Sequence, residues 1–224
     1  MLLVNVIRDL LRRPTQSQNL QLPTDNAIYK VLNVGGGSKL ISIPAHYQDW
    51  SHVLLDIDTD SEADIILDAR KLTTLSKEVV DAVYCSHNLE HYYKHDVAKV
   101  LTGFLHVLKP QGFAEIHVPD MKRLMEHFSS SGMDIDDVLY QAASGPISLH
   151  DVIYGYGKEI EGSGVDFFAH KSGFTKTSLM KMLTHAGFEH VLVNESTEIC
   201  SIGAIAFKSE PTPAQLSGLG LTAG

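Results

Sequence analysis

Five short runs constrain this chain more than anything else in it. YKVLNV (29–34), HVLLDI (52–57), ADIILD (63–68), DAVYCS (81–86) and FAEIHV (113–118) are dominated by apolar residues rather than strictly alternating. A strand with one wet face alternates. A run that stays apolar is covered on both faces, which is the situation of strands in a parallel sheet between helices. After the fourth run, Val97, Val100, Leu101, Phe104, Leu105 and Leu108 recur at helical spacing, and Lys109-Pro110-Gln111-Gly112 stops that helix. TKTSLMKMLTHAGF places Leu179, Met182 and Leu183 on one helical face, with Gly187 as its stop. HVLVNE (190–195) and IGAIAFK (202–208) are strands six and seven. Only a turn separates them, so they are expected to pair antiparallel at one edge. The fold class is α/β in three layers, with a seven-stranded, mostly parallel sheet and an antiparallel edge strand.

Three segments lie outside that pattern. Residues 1–28 read as an amphipathic helix, MLLVNVIRDLLRRP, followed by a polar linker. Its apolar face is expected to pack on the domain or on a second copy in a homodimer. The domain itself spans 29–208. Within it, 121–174 contains SSSG, SGP, GYG and EGSG breaks and reads as an irregular insertion leaving strand five, placed to cover a site. The tail, 209–224, is rich in Pro, Gly, Ser and Thr and is expected to be disordered. No run reaches the length of a membrane span. The net charge of −9, with no basic stripe, gives no expectation of a nucleic-acid partner. Cys85 and Cys200 sit in strand-like runs and read as buried thiols of a reducing, cytoplasmic compartment.

Ligands of such sheets bind beyond the carboxyl ends of the strands. Gly35-Gly36-Gly37 follow strand one, where glycines let backbone approach a ligand without a Cβ clash. A dinucleotide fingerprint would need a third glycine at position 40, which is Leu40, and Pro44 interrupts any long helix after the turn. Asp56 ends strand two, 21 positions after Gly35, where a carboxylate can accept both hydroxyls of a ribose. Asp68 ends strand three, where an acid can face an adenine amino group. DIDTDSEADIIL also spaces acids as a calcium loop would, but Ser61 and Leu67 replace the glycine and the bidentate glutamate that such a loop needs.

SHNLEHYYKH (86–95) sets His87, His91 and His95 at i, i+4 and i+8, one stripe if the segment were helical. Its position at the end of strand four carries more than its histidines do. VLNVGGGS, LLDID, ADIILDARKL, DAVYCSHNLEH, HVLKPQGFAEIHVPD and FTKTSLMKMLTHAGF arrive in the order found in small class I S-adenosylmethionine-dependent methyltransferases of the type 11-like kind. The chain resembles that family over roughly 29–207. The resemblance implies a Rossmann-like class I methyltransferase fold with S-adenosylmethionine (SAM) as cofactor. It implies that Gly35, Gly36 and Gly37 pass the methionine and ribose, that Asp56 holds the ribose hydroxyls with Ile57 against adenine, and that Asp68 and Ala69 meet the adenine edge. Ser86 and His87 would face the methyl end. Asn33 stands where the family usually has an acid.

The function expected from this resemblance is methyl transfer to an oxygen or nitrogen of a small-molecule or glycan-type acceptor. His87, Asp120 and His170 are the catalytic candidates, since an acceptor often has to lose a proton. No metal is expected. The minor alternative is a cation on His87, Glu90 and His91, because HNLEH resembles the ExxEH element of metal-dependent small-RNA 3′-terminal methyltransferases and of some ubiquinone-pathway O-methyltransferases. A non-catalytic partner subunit of the same fold, and a nucleotide-dependent oxidoreductase or epimerase, are the rival functions.

Overall fold

The computed structural model describes residues 22–23, 27–142, 144–195 and 201–221. The N-terminal segment 1–21 and Cys200 lie outside the described residues. β1 (Lys30–Val34), β2 (Ser51–Asp56), β3 (Ile65–Ile66), β4 (Val80–Ser86) and β5 (Leu108–Pro119) are joined by parallel pairings. β8 (His190–Glu195) and β9 (Ser201–Phe207) complete a seven-stranded sheet of order β3-β2-β1-β4-β5-β9-β8. β9 runs antiparallel to both of its neighbours and stands one place in from the edge that β8 forms.

One face of the sheet packs on two helices, α1 (Lys94–Val107) and α5 (Lys176–Ala186), and on a 3₁₀ turn at Ala69–Thr74. Val97, Val100, Leu101 and Phe104 are buried at the spacing read from the sequence, against Leu32, Val83 and Ile116 of the strands. Leu108 is the first residue of β5 instead of the end of the helix. Lys109–Gly112 do not form a free turn but a register shift within β5, where Lys109 pairs with Asp81 at 2.8 Å. The other face is covered by an aromatic cluster, Tyr47, Trp50, Phe113 and Phe207, with Leu216.

Two segments differ from their sequence reading. The insertion is built of regular elements: α2 (Met121–Ser131), a hairpin of β6 (Val138–Ala142) and β7 (Gly145–Ser148), α3 (Leu149–Tyr154) and α4 (Gly157–Ser163). Leu124, Ile147, Leu149 and Val152 bury together beneath them as a small separate core. The tail carries a further helix, α6 (Pro213–Gly218), anchored by Leu216. Thr212 and Gln215 form a reciprocal capping box with Pro213 inside the first turn, a local start signal that outweighs a Pro- and Gly-rich composition.

Strand order reverses between β1 and β4, and the crevice at their carboxyl ends is where such a sheet takes its ligand. The cavity of about 820 Å³ lined by Tyr29, Trp50, Asp81, Lys109, Phe113 and Gln215 lies at the opposite, amino ends of the strands.

Candidate active site

The turn after β1 is shaped by close approach. Gly35 and Gly37 hold φ of +72° and +66°, the left-handed region that favours glycine. A Cβ on Gly35 would lie 2.0 Å from the Asn88 amide nitrogen, and one on Gly36 would lie 2.3 Å from that of Asn33. The loop therefore rests directly on two asparagine side chains. Its far end is held by Asp56, which accepts the Gly37 N–H on Oδ2 and the Asp58 N–H on Oδ1, each at 3.0 Å. Each carboxylate oxygen keeps a lone pair beyond its amide partner, so donation from a diol remains open. Asn88 Oδ1 is buried with no hydrogen-bond partner, an unmet acceptor beside the glycine turn. A bare-backbone cradle, a carboxylate at the next strand end and an orphaned acceptor fit a nucleoside-bearing ligand.

On the adenine side, Asp68 has a partner within the chain. Asp68 accepts the Arg70 amide and pairs with the Arg70 guanidinium at 2.6 Å, and Arg70 also reaches Asp96 at 3.2 Å. Burial alone would push the Asp68 carboxyl up, but Arg70 outweighs it and holds it below the usual carboxylate range. Arg70 therefore shares the carboxylate on which the expected contact to an adenine amino group depends. Ala69 is buried in the core at the start of its 3₁₀ turn. Ile57 is half-buried directly after Asp56. The acids of the would-be calcium loop are dispersed: Asp58 accepts the Asp60 amide, while Asp64 binds Lys39 and the Leu54 amide.

The histidine stripe is not a helical stripe. β4 ends at Ser86, and His87 follows in the left-handed region (φ +49°), its N–H donating to His117 O at 2.8 Å. Leu89–His91 form one 3₁₀ turn, and α1 starts only at Lys94. His95 points to solvent and stacks on Tyr93. The LEH turn is then clamped by the last residues of the insertion. The Lys171 and Ser172 amides donate to Glu90 O at 2.7 and 3.1 Å, and His91 Nδ1 bonds Ala169 O at 3.2 Å. This brings His170 to His91, ring centroids 4.9 Å apart. His170 Nδ1 bonds Val152 O at 2.9 Å. Burial lowers the pKa of His170, although Glu90 opposes the shift, which favours the neutral ring.

Of the three catalytic candidates, His87 and His170 come together around Glu90. Asp120 uses its Oδ1 within the chain. It is buried at the amino end of α2, where it caps the helix by accepting the Lys122 and Arg123 amides.

One polar group escaped the sequence reading. Glu115, inside β5, takes hydrogen bonds from Tyr47 Oη and His46 Nε2 at 2.9 Å and contacts His117 Nε2 at 3.1 Å. A glutamate within an apolar strand, with a histidine two positions on, was the signal for a shared face.

The methyltransferase-domain family matches residues 32–116, from β1 into β5 and including the glycine turn, Asp56 and the LEH turn. No curated protein matches the chain. Among solved structures, a protein of Pyrococcus horikoshii is similar at a TM-score of 0.53 with 16% identity, covering 91% of this chain and 88% of its own. A SAM-dependent methyltransferase of Archaeoglobus fulgidus gives 0.51 and 14%, covering 91% and 94%. A SAM-dependent methyltransferase of Methanosarcina mazei gives 0.50 and 16%, covering 82% and 94%. In sequence over 32–116 and in fold, the chain resembles the class I SAM-dependent methyltransferases, whose cofactor is SAM.

Proposed function

We propose that a chain with this resemblance transfers the methyl group of SAM to an oxygen or nitrogen of a small-molecule or glycan-type acceptor. The observation that supports the reading best is the cradle: glycines pressed onto Asn33 and Asn88, with Asp56 at the neighbouring strand end. The cofactor supplies an electrophilic methyl on a sulfonium. The chain has to bind it, align the acceptor and deal with the acceptor's proton. Gly35–Gly37 and Asp56 hold the ribose and methionine, with Ile57 beside the adenine. Ser86 and the half-exposed His87 stand at the end of β4, facing the methyl end, and His87 receives the acceptor proton. The insertion carries Tyr154, Phe167 and Phe168 at its surface, a wall suited to a polar ring or sugar.

The test is calorimetry with S-adenosylhomocysteine, followed by mass spectrometry of extract components incubated with methyl-labelled SAM. Binding is expected in the unaltered chain and should weaken at least roughly tenfold in Asp56→Ala, the loss of about 1.4 kcal/mol expected for two hydroxyl partners. No binding by the unaltered chain, or tighter binding of NAD, would overturn the reading. Tight binding with no labelled product would point to the non-catalytic partner subunit instead.

A further inference from the structure

Glu90 is the most anomalous side chain in the described structure. It is buried, 1% exposed, and neither carboxylate oxygen has a hydrogen-bond partner. Its ionic neighbour is His87 Nδ1, at 3.4 Å. A buried carboxylate without hydrogen bonds costs several kcal/mol unless a cation compensates it. The chain therefore either carries that cost or binds something that removes it.

The two nearest rings are arranged for the second outcome. His91 Nδ1 bonds Ala169 O, and His170 Nδ1 bonds Val152 O. A carbonyl can only accept, so in each neutral ring Nδ1 carries the hydrogen and Nε2 carries the lone pair. Metal-binding histidines are oriented in this way, with the distal nitrogen donating to a backbone carbonyl. One donor atom from each of Glu90, His91 and His170 lies within 4.8 Å of the others. A tetrahedral ion with bonds of about 2.1 Å sets its donors about 3.4 Å apart, a closure within reach of side-chain torsions.

We propose that Glu90, His91 and His170 bind a divalent transition-metal ion. Two imidazoles and one carboxylate suit a divalent first-row transition-metal ion, from manganese(II) and iron(II) to zinc(II), and disfavour calcium and magnesium, which prefer an all-oxygen shell. Three protein donors make an open site that keeps at least one position for an outside ligand. The donors come from the turn after β4 and from the segment that closes the insertion. Metal binding would therefore pin the insertion to the sheet beside the glycine cradle.

The experiment uses the full, untagged chain, dialysed against chelator and titrated with zinc chloride and manganese chloride by calorimetry. S-adenosylhomocysteine is titrated in parallel to report on the cofactor site separately. One ion per chain is expected, with affinity falling at least roughly tenfold in His170→Asn and in Glu90→Gln. It should be unchanged in His117→Gln, on the other sheet face. Thermal melts and circular dichroism establish that each variant is folded. If Glu90→Gln fails to fold, His170→Asn, on the better-exposed segment, decides alone. Binding of neither metal overturns the proposal, and so does binding that His170→Asn leaves unaltered. Either result leaves the cofactor titration, and with it the methyltransferase reading, standing on its own.

Discussion

Two buried glutamates, one on each side of the sheet's chemistry, each meet histidines, and they are treated oppositely. Glu115 has a partner on both oxygens: His46 and Tyr47 on Oε2, His117 on Oε1. Glu90 has none by hydrogen-bond geometry, although His87 and His91 stand near it and His170 faces His91. The histidines of Glu115 point at their carboxylate. His87 keeps its Nδ1 3.4 Å from Glu90, whereas His91 and His170 turn Nδ1 away to backbone carbonyls and leave Nε2 for something else. A fully satisfied polar network fixes packing. An unsatisfied one in an otherwise well-made core is a candidate ligand site. Residue types alone do not separate the two.

The largest expected effect is on the satisfied side. Glu115→Ala strips the partner from Tyr47 Oη and two imidazoles at once, and should cost about 3 kcal/mol in urea unfolding. Its pH dependence has a definite sign. Burial pushes the Glu115 carboxyl up, but bonds from His117 and Tyr47 and the His46 charge outweigh it and hold it below its usual range. A depressed folded pKa gives stability that is complete above the unfolded value of about 4.3 and is lost as pH falls through the folded one. The acid limb of the unaltered chain, below about pH 5, should therefore be steeper than that of Glu115→Ala. Equal slopes would show that Glu115 is not the stabilising carboxylate.

How much of this contrast the sequence carries depends on the range of each interaction. β1, β2, β4 and β5 were legible because burial on both faces leaves apolar runs, and α1 because its apolar spacing is helical. The glycine turn and Asp56 were legible because strand ends locate the crevice. The insertion was misread as irregular because its later helices, α3 and α4, are short and each of its helices ends at a glycine. The Ser148–Asp151 capping box that starts α3 was nevertheless a local sign of order. The pairing of Asp68 with Arg70, two residues away, was not read from the sequence. The pairing of His170 with the LEH turn had no local sign at all: His91 and its carbonyl partner Ala169 are separated by 78 positions, and only the fold of the insertion brings them together.

A smaller effect tests the unsatisfied side. Glu90→Gln keeps the shape and removes a buried charge that makes no hydrogen bond, so the stability of the metal-free chain should rise, by less than the roughly 3 kcal/mol that Glu115→Ala costs. A loss of 3 kcal/mol in Glu90→Gln would erase the distinction and make Glu90 a structural residue like Glu115.

The smallest effect belongs to the third member of the histidine stripe. His95 lies at the start of α1 with its side chain 74% exposed, 3.6 Å from Asp96 and stacked on Tyr93. Lys99 at 2.7 Å and Arg70 at 3.2 Å already serve the Asp96 carboxylate. Little is lost when an exposed ring leaves a carboxylate that keeps two cations, so His95→Ala should change stability by under about 0.5 kcal/mol. It should leave zinc and S-adenosylhomocysteine titrations unchanged. The comparison then rests on position rather than on residue type: His91, one 3₁₀ turn earlier, differs from His95 because the chain returns at 169–172 to cover it. A His95→Ala variant that lost ligand binding would show that the two histidines act together, and that the break between the 3₁₀ turn and α1 does not separate them in solution.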